Sequence, residues 1–555
     1  MKKLIFLVFL CFLYTQCSET RVQESKDVEA DNHVPFSWRN ATVYFLLTDR
    51  FNNGNPGNDQ NFGRNQPTAT LRGFEGGDIK GITDKIKEGY FDQLGVTAIW
   101  LTPIVEQIHG GTDEGTGLTY GYHGYWAKDW TRLDPNFGTE AELLELVNTA
   151  HQHGVRILLD VVLNHTGPVT EKDPAWPANW VREGPTCTYT GFETTVECTL
   201  VDNLPDIRTD KNDHVDLPEP LKAKWEQEGR LEQEVQALED FFNSNGYPRA
   251  PRFYIIKWLA DYVRKFGIDG FRVDTAKHTE AEVWEELKKE AVIAFNDWKN
   301  NNPDKVLDDN EFFMVGEVYG FGAGRGRAYD YGDKKVDFFE NGFESLINFA
   351  FKYDAKESYE HLFKKYDTVL LEGSLQGYQV LNYLTSHDDG DPFDRSRERS
   401  LEAGTKLLLA PGTAQIYYGD ESNRSLVVEG AEGDAHLRSF MNWEELENNS
   451  QSQEVFEHWS KLGRFRKNHL SIGAGKHQTL QEQPYIFSRE FADDLYSDQV
   501  LVALEVPEGE KSISVYNVFP DGTSLQDYYS GQTVTVQSGK IIISTPFSIL
   551  LLAEN

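Results

Sequence analysis

Apolar residues along this chain follow two patterns. Some cluster in short continuous runs, and others recur every three or four positions along longer stretches. The first pattern marks a strand buried on both faces, the second an amphipathic helix. Eight runs read as strands: Val43–Thr48, Ala98–Pro103, Arg156–His165, Gly270–Thr275, Phe312–Val318, Phe343–Phe349, Gln379–Ser386 and Ala414–Gly419. Helical stretches lie between several of them, including Glu140–His153, Tyr254–Phe266, Ala281–Lys299 and Arg399–Leu409. This alternation predicts an α/β fold, a (β/α)8 TIM barrel, with Gln453–His469 as its last helix. Two regions break the repeat. The stretch from about Thr166 to Pro251, rich in Trp, Pro and Thr, reads as a subdomain inserted over the strand ends. Beyond about Gly473 come short alternating segments (Gln499–Glu505, Ser512–Val518, Ile541–Pro546), which predict a C-terminal antiparallel β-sandwich. The expected organisation is a barrel over 36–165 and 251–472, an insert over 166–250 and a β-domain over 473–555.

Three of the strand runs lead into an acid: Asp274 after Gly270-Phe271-Arg272-Val273, Glu317 after Phe312–Gly316, and Asp388 after Leu381–His387. The C-terminal ends of parallel strands are where such a barrel keeps its chemistry. Two carboxylates flanking one bond are the minimum equipment for cleaving a glycoside. Burying three without a task would be costly. Arg272 lies two residues from Asp274, so both point to one strand face and the guanidinium can hold the acid ionised. The third run, Arg156–His165, also ends in polar groups.

These four segments, in this order, resemble the α-amylase family of retaining glycoside hydrolases, and the similarity runs from about Ser37 to the chain end. The tracts Glu106–Gly110, Tyr122–Tyr125, Ala150–Gln152 and Gly419–Ser422 are similar to the periplasmic-type members of Gram-negative bacteria. The resemblance implies that Asp274 is the nucleophile, Glu317 the acid/base and Asp388 the transition-state stabiliser. It further implies that Tyr125, His165, Arg272, Lys277, His278 and His387 bind substrate, with Asp160 and His123 in support. Two Ca2+ sites are implied as well. One uses Asn164, Asp206 and the His278 carbonyl; the other uses Asn53, Asn55, Asn58, Asp59, Asp78 and the Gly76 carbonyl, where the alternative is a metal-free loop of Asx turns. Ser386 departs from the pattern, since many members carry Asn before this His. The expected activity is retaining hydrolysis of internal α-1,4-glucosidic bonds in starch or maltodextrins. Its rivals are cyclomaltodextrinase, exo-acting or transglycosylating action, and a non-catalytic surface glucan-binding protein.

Composition narrows the partners. The charge of 54 − 89 = −35 repels phosphate backbones and anionic headgroups, which excludes nucleic acid and suits a neutral polymer or a cation. Aromatic residues make up 13% of the chain, enough for a large core or a sugar-binding cleft. Lys2-Lys3 followed by the apolar run Leu4–Leu13 reads as a signal peptide, too short to span a membrane. Cys17 next to it resembles the acylated residue of a bacterial lipoprotein, although Gln16 stands where a small residue is usual. Residues 1–17 are then the leader and 18–35 a flexible tether, and the expectation is an exported protein with Cys17 as its membrane anchor, the alternative being simple secretion; the resemblance implies a Gram-negative cell envelope, and a monomer is expected. Of four Cys, Cys11 and Cys17 fall in the leader; Cys187 and Cys198 are expected to form a disulfide closing a short loop.

Overall fold

The computed structural model describes residues 34–113 and 115–555; the leader, Cys17 and residues 18–33 of the tether lie outside the described residues. Eight parallel strands close into a barrel: β1 (Thr42–Leu46), β2 (Ala98–Leu101), β3 (Arg156–Val161), β4 (Gly270–Val273), β5 (Phe313–Gly316), β6 (Ser345–Asn348), β7 (Gln379–Tyr383) and β8 (Thr413–Tyr417). Each pairs with its sequence neighbour, and β8 returns to β1 with Thr42 opposite Ala414. All but the first residue of β7 are buried along every strand, as a sheet covered on both faces requires. Inside, Phe45 of β1 stacks on Trp100 of β2 at 3.6 Å between ring centroids.

The outer ring contains α1 (Ile79–Lys87), α2 (Glu140–Gln152), α3 (Pro251–Phe266), α4 (Ala281–Asn301), α5 (Tyr359–Asp367), α6 (Ser400–Leu408) and α7 (Ser450–Asn468). Their ends follow local chemistry. Thr139 and Glu142 form a capping box at the start of α2. Gly267 ends α3 in the left-handed region at φ +78°, and a Cβ there would meet the Trp298 ring of α4 at 2.2 Å. The β5–β6 connection carries only 3-10 turns and a small hairpin, Tyr329–Asp330 with Lys335–Val336.

Two excursions rise from the strand ends. After β2, Val105–Gln107 pairs antiparallel with Ala127–Leu133. After β3 comes the insert, held by a Val181–Arg182 to Asp206–Ile207 ladder and a Cys187–Cys198 disulfide. The insert also contains two helices, Glu219–Gln227 and Leu231–Asn245, which its composition did not suggest. Buried ions seat it: Asp129 of the β2 excursion takes Lys224 at 2.9 Å, Arg230 at 2.6 Å and the Trp225 indole N–H at 3.2 Å. These donors offset burial and hold the Asp129 carboxyl below its usual range.

The C-terminal residues form β9 (Lys476–Gln481), β10 (Tyr485–Ala492), β11 (Ser497–Leu504), β12 (Gly509–Ser514), β13 (Ser524–Asp527), β14 (Thr533–Thr535), β15 (Lys540–Thr545) and β16 (Ile549–Glu554). Six make one sheet, in the order β9-β10-β11-β16-β13-β14; β12 and β15 make a second. Apolar side chains of both, including Leu501, Leu550, Ile513 and Ile541, share one core. The strand expected at Ser512–Val518 lies four residues earlier at its end. Val515 begins a turn, yet Val515 and Val518 stay buried in that core, so their apolar character mimicked a longer strand.

Candidate active site

Barrel register sets the floor of the site. Arg272 on β4 lies opposite Asp160 on β3 and Val315 on β5. Cross-strand neighbours on one face meet, and Arg272 Nη1 donates to both Asp160 oxygens at 2.9 and 3.1 Å. The same nitrogen reaches Asp274 Oδ1 at 2.8 Å, and Nη2 reaches Glu317 Oε2 at 3.1 Å. One guanidinium, 1% exposed, therefore holds three carboxyls. Asp160 is saturated by two further donors, Tyr125 O–H at 2.7 Å and Trp100 N–H at 3.0 Å.

Extending the β4–β5 register by one residue puts Asp274 beside Glu317; the Glu317 N–H donates to Val273 and the Thr275 N–H to Glu317 Oε2. Thr275 adopts φ +48°, which turns the chain out of the strand immediately after Asp274. Burial pushes the Glu317 pKa up to about 8; the nearby Asp274 and Asp388 charges add to the rise and Arg272 opposes it. Asp388 sits on the loop after β7 with 39% of its side chain exposed. Burial by surrounding loops would raise its pKa, but His387, Arg272, Arg438 and the Ser386 hydroxyl (3.0 Å) more than offset this and lower it. Glu317 is thus protonated near neutral pH while Asp388 is ionised.

The imidazoles are neutral. Burial pushes His387 down to about 4 and lowers His165 and His123. His165 Nε2 donates to the Tyr125 carbonyl at 3.2 Å, and His123 Nδ1 accepts the Tyr125 N–H at 3.1 Å. The Tyr125 ring stacks on His387 at 5.2 Å. Lys277 Nζ donates to the Tyr319 carbonyl at 3.2 Å, and His278 Nδ1 to the Thr195 carbonyl of the insert at 3.0 Å. These groups, including Asp274, Glu317 and Asp388, line one open cavity of about 450 Å³. Asp160 and Arg272 lie beneath it.

Sequence reasoning missed several lining residues. Arg438 donates to the His387 carbonyl at 2.9 Å and pairs with Asp434 at 2.6 Å, fixing the loop that carries Asp388. It comes after β8 in no strand-end motif, so nothing local marks it. Tyr189 and Tyr319 also line the cavity, 41% and 55% exposed. An aromatic inside the Cys187–Cys198 loop, and another two residues past Glu317, were the available signals.

The two cation sites differ in what comes together. Asn164 donates to Asp206 at 3.2 Å and accepts from Thr279 at 3.1 Å. Asp206 is 2% exposed, and burial pushes its pKa up to about 7 against the opposing effects of Arg182 and Asn164, a cost of ionisation that a bound cation would relieve. In the second loop, Asn53 and Asp59 touch at 3.0 Å, next to Gly76. The Oδ1 atoms of Asn53 and Asn58 are shielded and accept no hydrogen bond among the described residues. Orphaned amide oxygens beside a carboxylate fit a hard cation. Asp78 and Asn55 are otherwise engaged: Asp78 caps α1 through Gly81 and takes the Gly54 and Asn55 N–H groups, while Asn55 takes Gly57. No three His, Cys, Asp or Glu side chains among the described residues converge as a metal cage.

Residues 45–461 match the family described as the alpha-amylase catalytic domain. The periplasmic alpha-amylase of Escherichia coli (strain K12) is 39% identical over 530 residues, spanning 84% of this chain and 72% of that protein. A cyclomaltodextrin glucanotransferase of Thermoanaerobacterium thermosulfurigenes is 26% identical over 575 residues, spanning 99% of this chain and 71% of that one. A solved alpha-amylase of Anoxybacillus shares the fold with a TM-score of 0.65 at 24% identity, covering 94% of this chain and 99% of that one.

Proposed function

The chain belongs to the α-amylase family of glycoside hydrolases, and from that premise we propose that it is an endo-acting, retaining hydrolase of α-1,4-glucosidic bonds in starch and maltodextrins. The observation that carries this reading is the in-register placement of Asp274 and Glu317 on adjacent strands, both on the Arg272 guanidinium. Neighbouring strands lie about 4.8 Å apart. That spacing suits the carboxyl separation of about 5–5.5 Å used by retaining enzymes, rather than the roughly 6.5–9.5 Å that leaves room for water in inverting ones.

In this reading Asp274 attacks the anomeric carbon as the glycosidic oxygen takes the Glu317 proton, giving a covalent β-glucosyl-enzyme. Ionised Glu317 then removes a proton from water, and the hydroxide displaces Asp274. Asp388 binds the 2- and 3-hydroxyls of the distorted sugar, neutral His387 donates to it, His165, whose N–H is held by the Tyr125 carbonyl, lines its pocket, and Tyr125 stacks beneath it. Arg272 holds the Asp274 carboxyl in position, and Asp160 keeps Arg272 aimed. Lys277 and His278 contact the leaving-group sugar.

Ca2+ is the cation whose chemistry these oxygens suit. Asn164, Asp206 and the His278 carbonyl would hold one ion, and Asn53, Asn58, Asp59 and the Gly76 carbonyl a second, with Asn55 and Asp78 supporting the loop through backbone N–H groups. Bound there, the ion supplies cross-links between loops and no bond chemistry. We also place the enzyme outside the cytoplasm, anchored by an acyl group on Cys17. The leader pattern, the disulfide and the periplasmic relative support the export, and metabolic labelling with a fatty acid, lost in Cys17→Ala, tests the anchor.

The deciding experiment is a time course of products from a long reduced maltooligosaccharide, for wild type and Glu317→Gln. A spread of mid-length α-anomeric products from wild type alone supports the reading. A single short product from the outset moves it to an exo-acting enzyme, cyclic or lengthened products to a glucanotransferase, and binding without cleavage overturns it.

A further inference from the structure

A cavity of about 400 Å³ opens on the outside of the barrel, bounded by the insert helix Leu231–Asn245, by α3, by the start of α2 and by the Ala127–Leu133 strand of the β2 excursion. It shares no lining residue with the catalytic cavity. Its volume lies within the roughly 300–1,000 Å³ usual for small-molecule sites.

The carboxylates in its walls are already spent. Glu140 takes Lys265 at 2.6 Å, Glu234 takes Arg230 at 2.8 Å, and Asp261 takes both Lys257 and Arg264. Asp129 and Glu228 further neutralise Arg230 from behind, and Asp297 does the same for Arg264. Arg132 also lines the cavity, and it pairs with no carboxylate among the described residues. The uncompensated charge of the walls is therefore one guanidinium, in a chain whose net charge is −35.

Hydrogen-bond donors are in surplus as well. Lys257 is 7% exposed, and its ammonium spends one of three N–H bonds, on Asp261. Trp258 is 2% exposed and forms the next part of the wall; its indole N–H meets no acceptor among the described residues. A buried donor left unpaired is destabilising, and a native fold that keeps one commonly sets it against a water or an ion. Spare donors, an unpaired guanidinium and no free carboxylate suit a ligand that accepts hydrogen bonds and carries negative charge. A sugar ring fits poorly, because Trp258, Tyr262 and Phe266 of the wall are all buried and leave no ring face open for stacking. The volume is too large for a single halide and points to a polyatomic anion.

We propose that this cavity binds an oxyanion of the phosphate class, free or carried on a small molecule, through Arg132, Lys257 and the Trp258 N–H. Arg132 belongs to the β2 excursion, and Lys257 and Trp258 belong to α3, so the bound anion ties the excursion to the barrel beside the insert. The site is independent of the glucan-hydrolase reading.

The test is equilibrium dialysis of the full chain at fixed ionic strength in chloride buffer, with labelled inorganic phosphate and, separately, labelled glucose 6-phosphate. Wild type, Arg132→Gln and Trp258→Phe are compared. Wild type is expected to take up one equivalent. Arg132→Gln is expected to bind about tenfold more weakly, a loss of about 1.4 kcal/mol, as one charge-assisted contact disappears. Trp258→Phe keeps an aromatic ring, removes the donor and should weaken binding about fivefold. Arg132 is exposed, so Arg132→Gln should keep the wild-type urea midpoint without phosphate, and it carries the comparison even where Trp258→Phe fails to fold. Glucose 6-phosphate held more tightly than phosphate assigns the site to a phosphorylated small molecule; equal or weaker binding assigns it to the free anion. Absence of saturable uptake of either probe overturns the proposal. Uptake unchanged in Arg132→Gln overturns it too, because the anion then sits elsewhere.

Discussion

Glu317 is expected to make the enzyme less stable the more alkaline the solution, and replacing it with Gln removes that cost. Its carboxyl has an ordinary value of 4.5 and is pushed up to about 8 in the fold, chiefly by burial at 7% exposure. A raised carboxyl binds more protons folded than unfolded, so stability falls as pH rises between the two values. Below about pH 4.5 both states are protonated and the group is neutral in the balance. Between about 4.5 and 8 the unfolded chain ionises while the fold keeps its proton; above 8 the full cost is in place. At about 1.36 kcal/mol per pKa unit, that cost is roughly 5 kcal/mol. Gln has the shape of the protonated acid and still accepts the Thr275 N–H (2.8 Å in wild type), so Glu317→Gln should match wild type near pH 4.5. It should become progressively more stable up to about pH 8 and hold a constant lead beyond. Urea midpoints of both proteins from pH 4.5 to 9 read the difference, in which titrating groups remote from Glu317 cancel. The same proton should set the alkaline limb of kcat/KM near pH 8, and Glu317→Gln should lose about 10²–10⁴ in kcat. A stability difference that is flat or narrows with pH would refute the reasoning, because Glu317 would then be ionised in the resting site.

Three further outcomes follow from the same geometry. Asp160→Asn leaves Arg272 short of one of its three carboxyl partners, and should cost about 2–3 kcal/mol in the urea midpoint and lower kcat with KM nearly unchanged; a KM effect alone would contradict a positioning role. Replacing Cys187 and Cys198 together by Ser frees a loop with a sequence separation of 11, worth about 3 kcal/mol of chain entropy. Hydrogen exchange should quicken within that loop and KM should rise through Tyr189, while unchanged exchange would show that the loop is held by packing alone. Chelation from saturating calcium should lower stability by about 3 kcal/mol, and Asn58→Ala should shrink the response; identical curves with and without chelator would rule out structural calcium.

Much of the architecture was legible because parallel strands buried on both faces must read as continuous apolar runs. All eight barrel strands lie where such runs occur, and α2, α3, α4, α6 and α7 lie where apolar residues recur at helical spacing. Boundaries were less legible. The run Arg156–His165 stays apolar past Val161, where β3 ends, because Val162 and Leu163 are buried by the β2 excursion and the insert; the Trp130 indole donates to the Val162 carbonyl at 2.8 Å. The insert helices were hidden for the opposite reason. Leu231–Asn245 buries only Leu238 and Phe242, and Glu219–Gln227 is seated by Lys224 and Trp225 on the buried Asp129, a contact made from 95 residues away.

The order of strands, the acids at their ends and the pairing of Arg272 with Asp274 two residues on were determined by the sequence alone, since side-chain period and local hydrophobicity are properties of neighbours in the chain. Tertiary structure alone decided which charges share one guanidinium, which oxygens are left without donors, and that Glu317 holds its proton while Asp388 does not. Arg438 reaching the His387 carbonyl and Tyr319 lining the catalytic cavity belong to the same class. Each depends on burial and on partners brought in from distant segments, and desolvation and Coulomb energies are set by distance in space rather than along the chain.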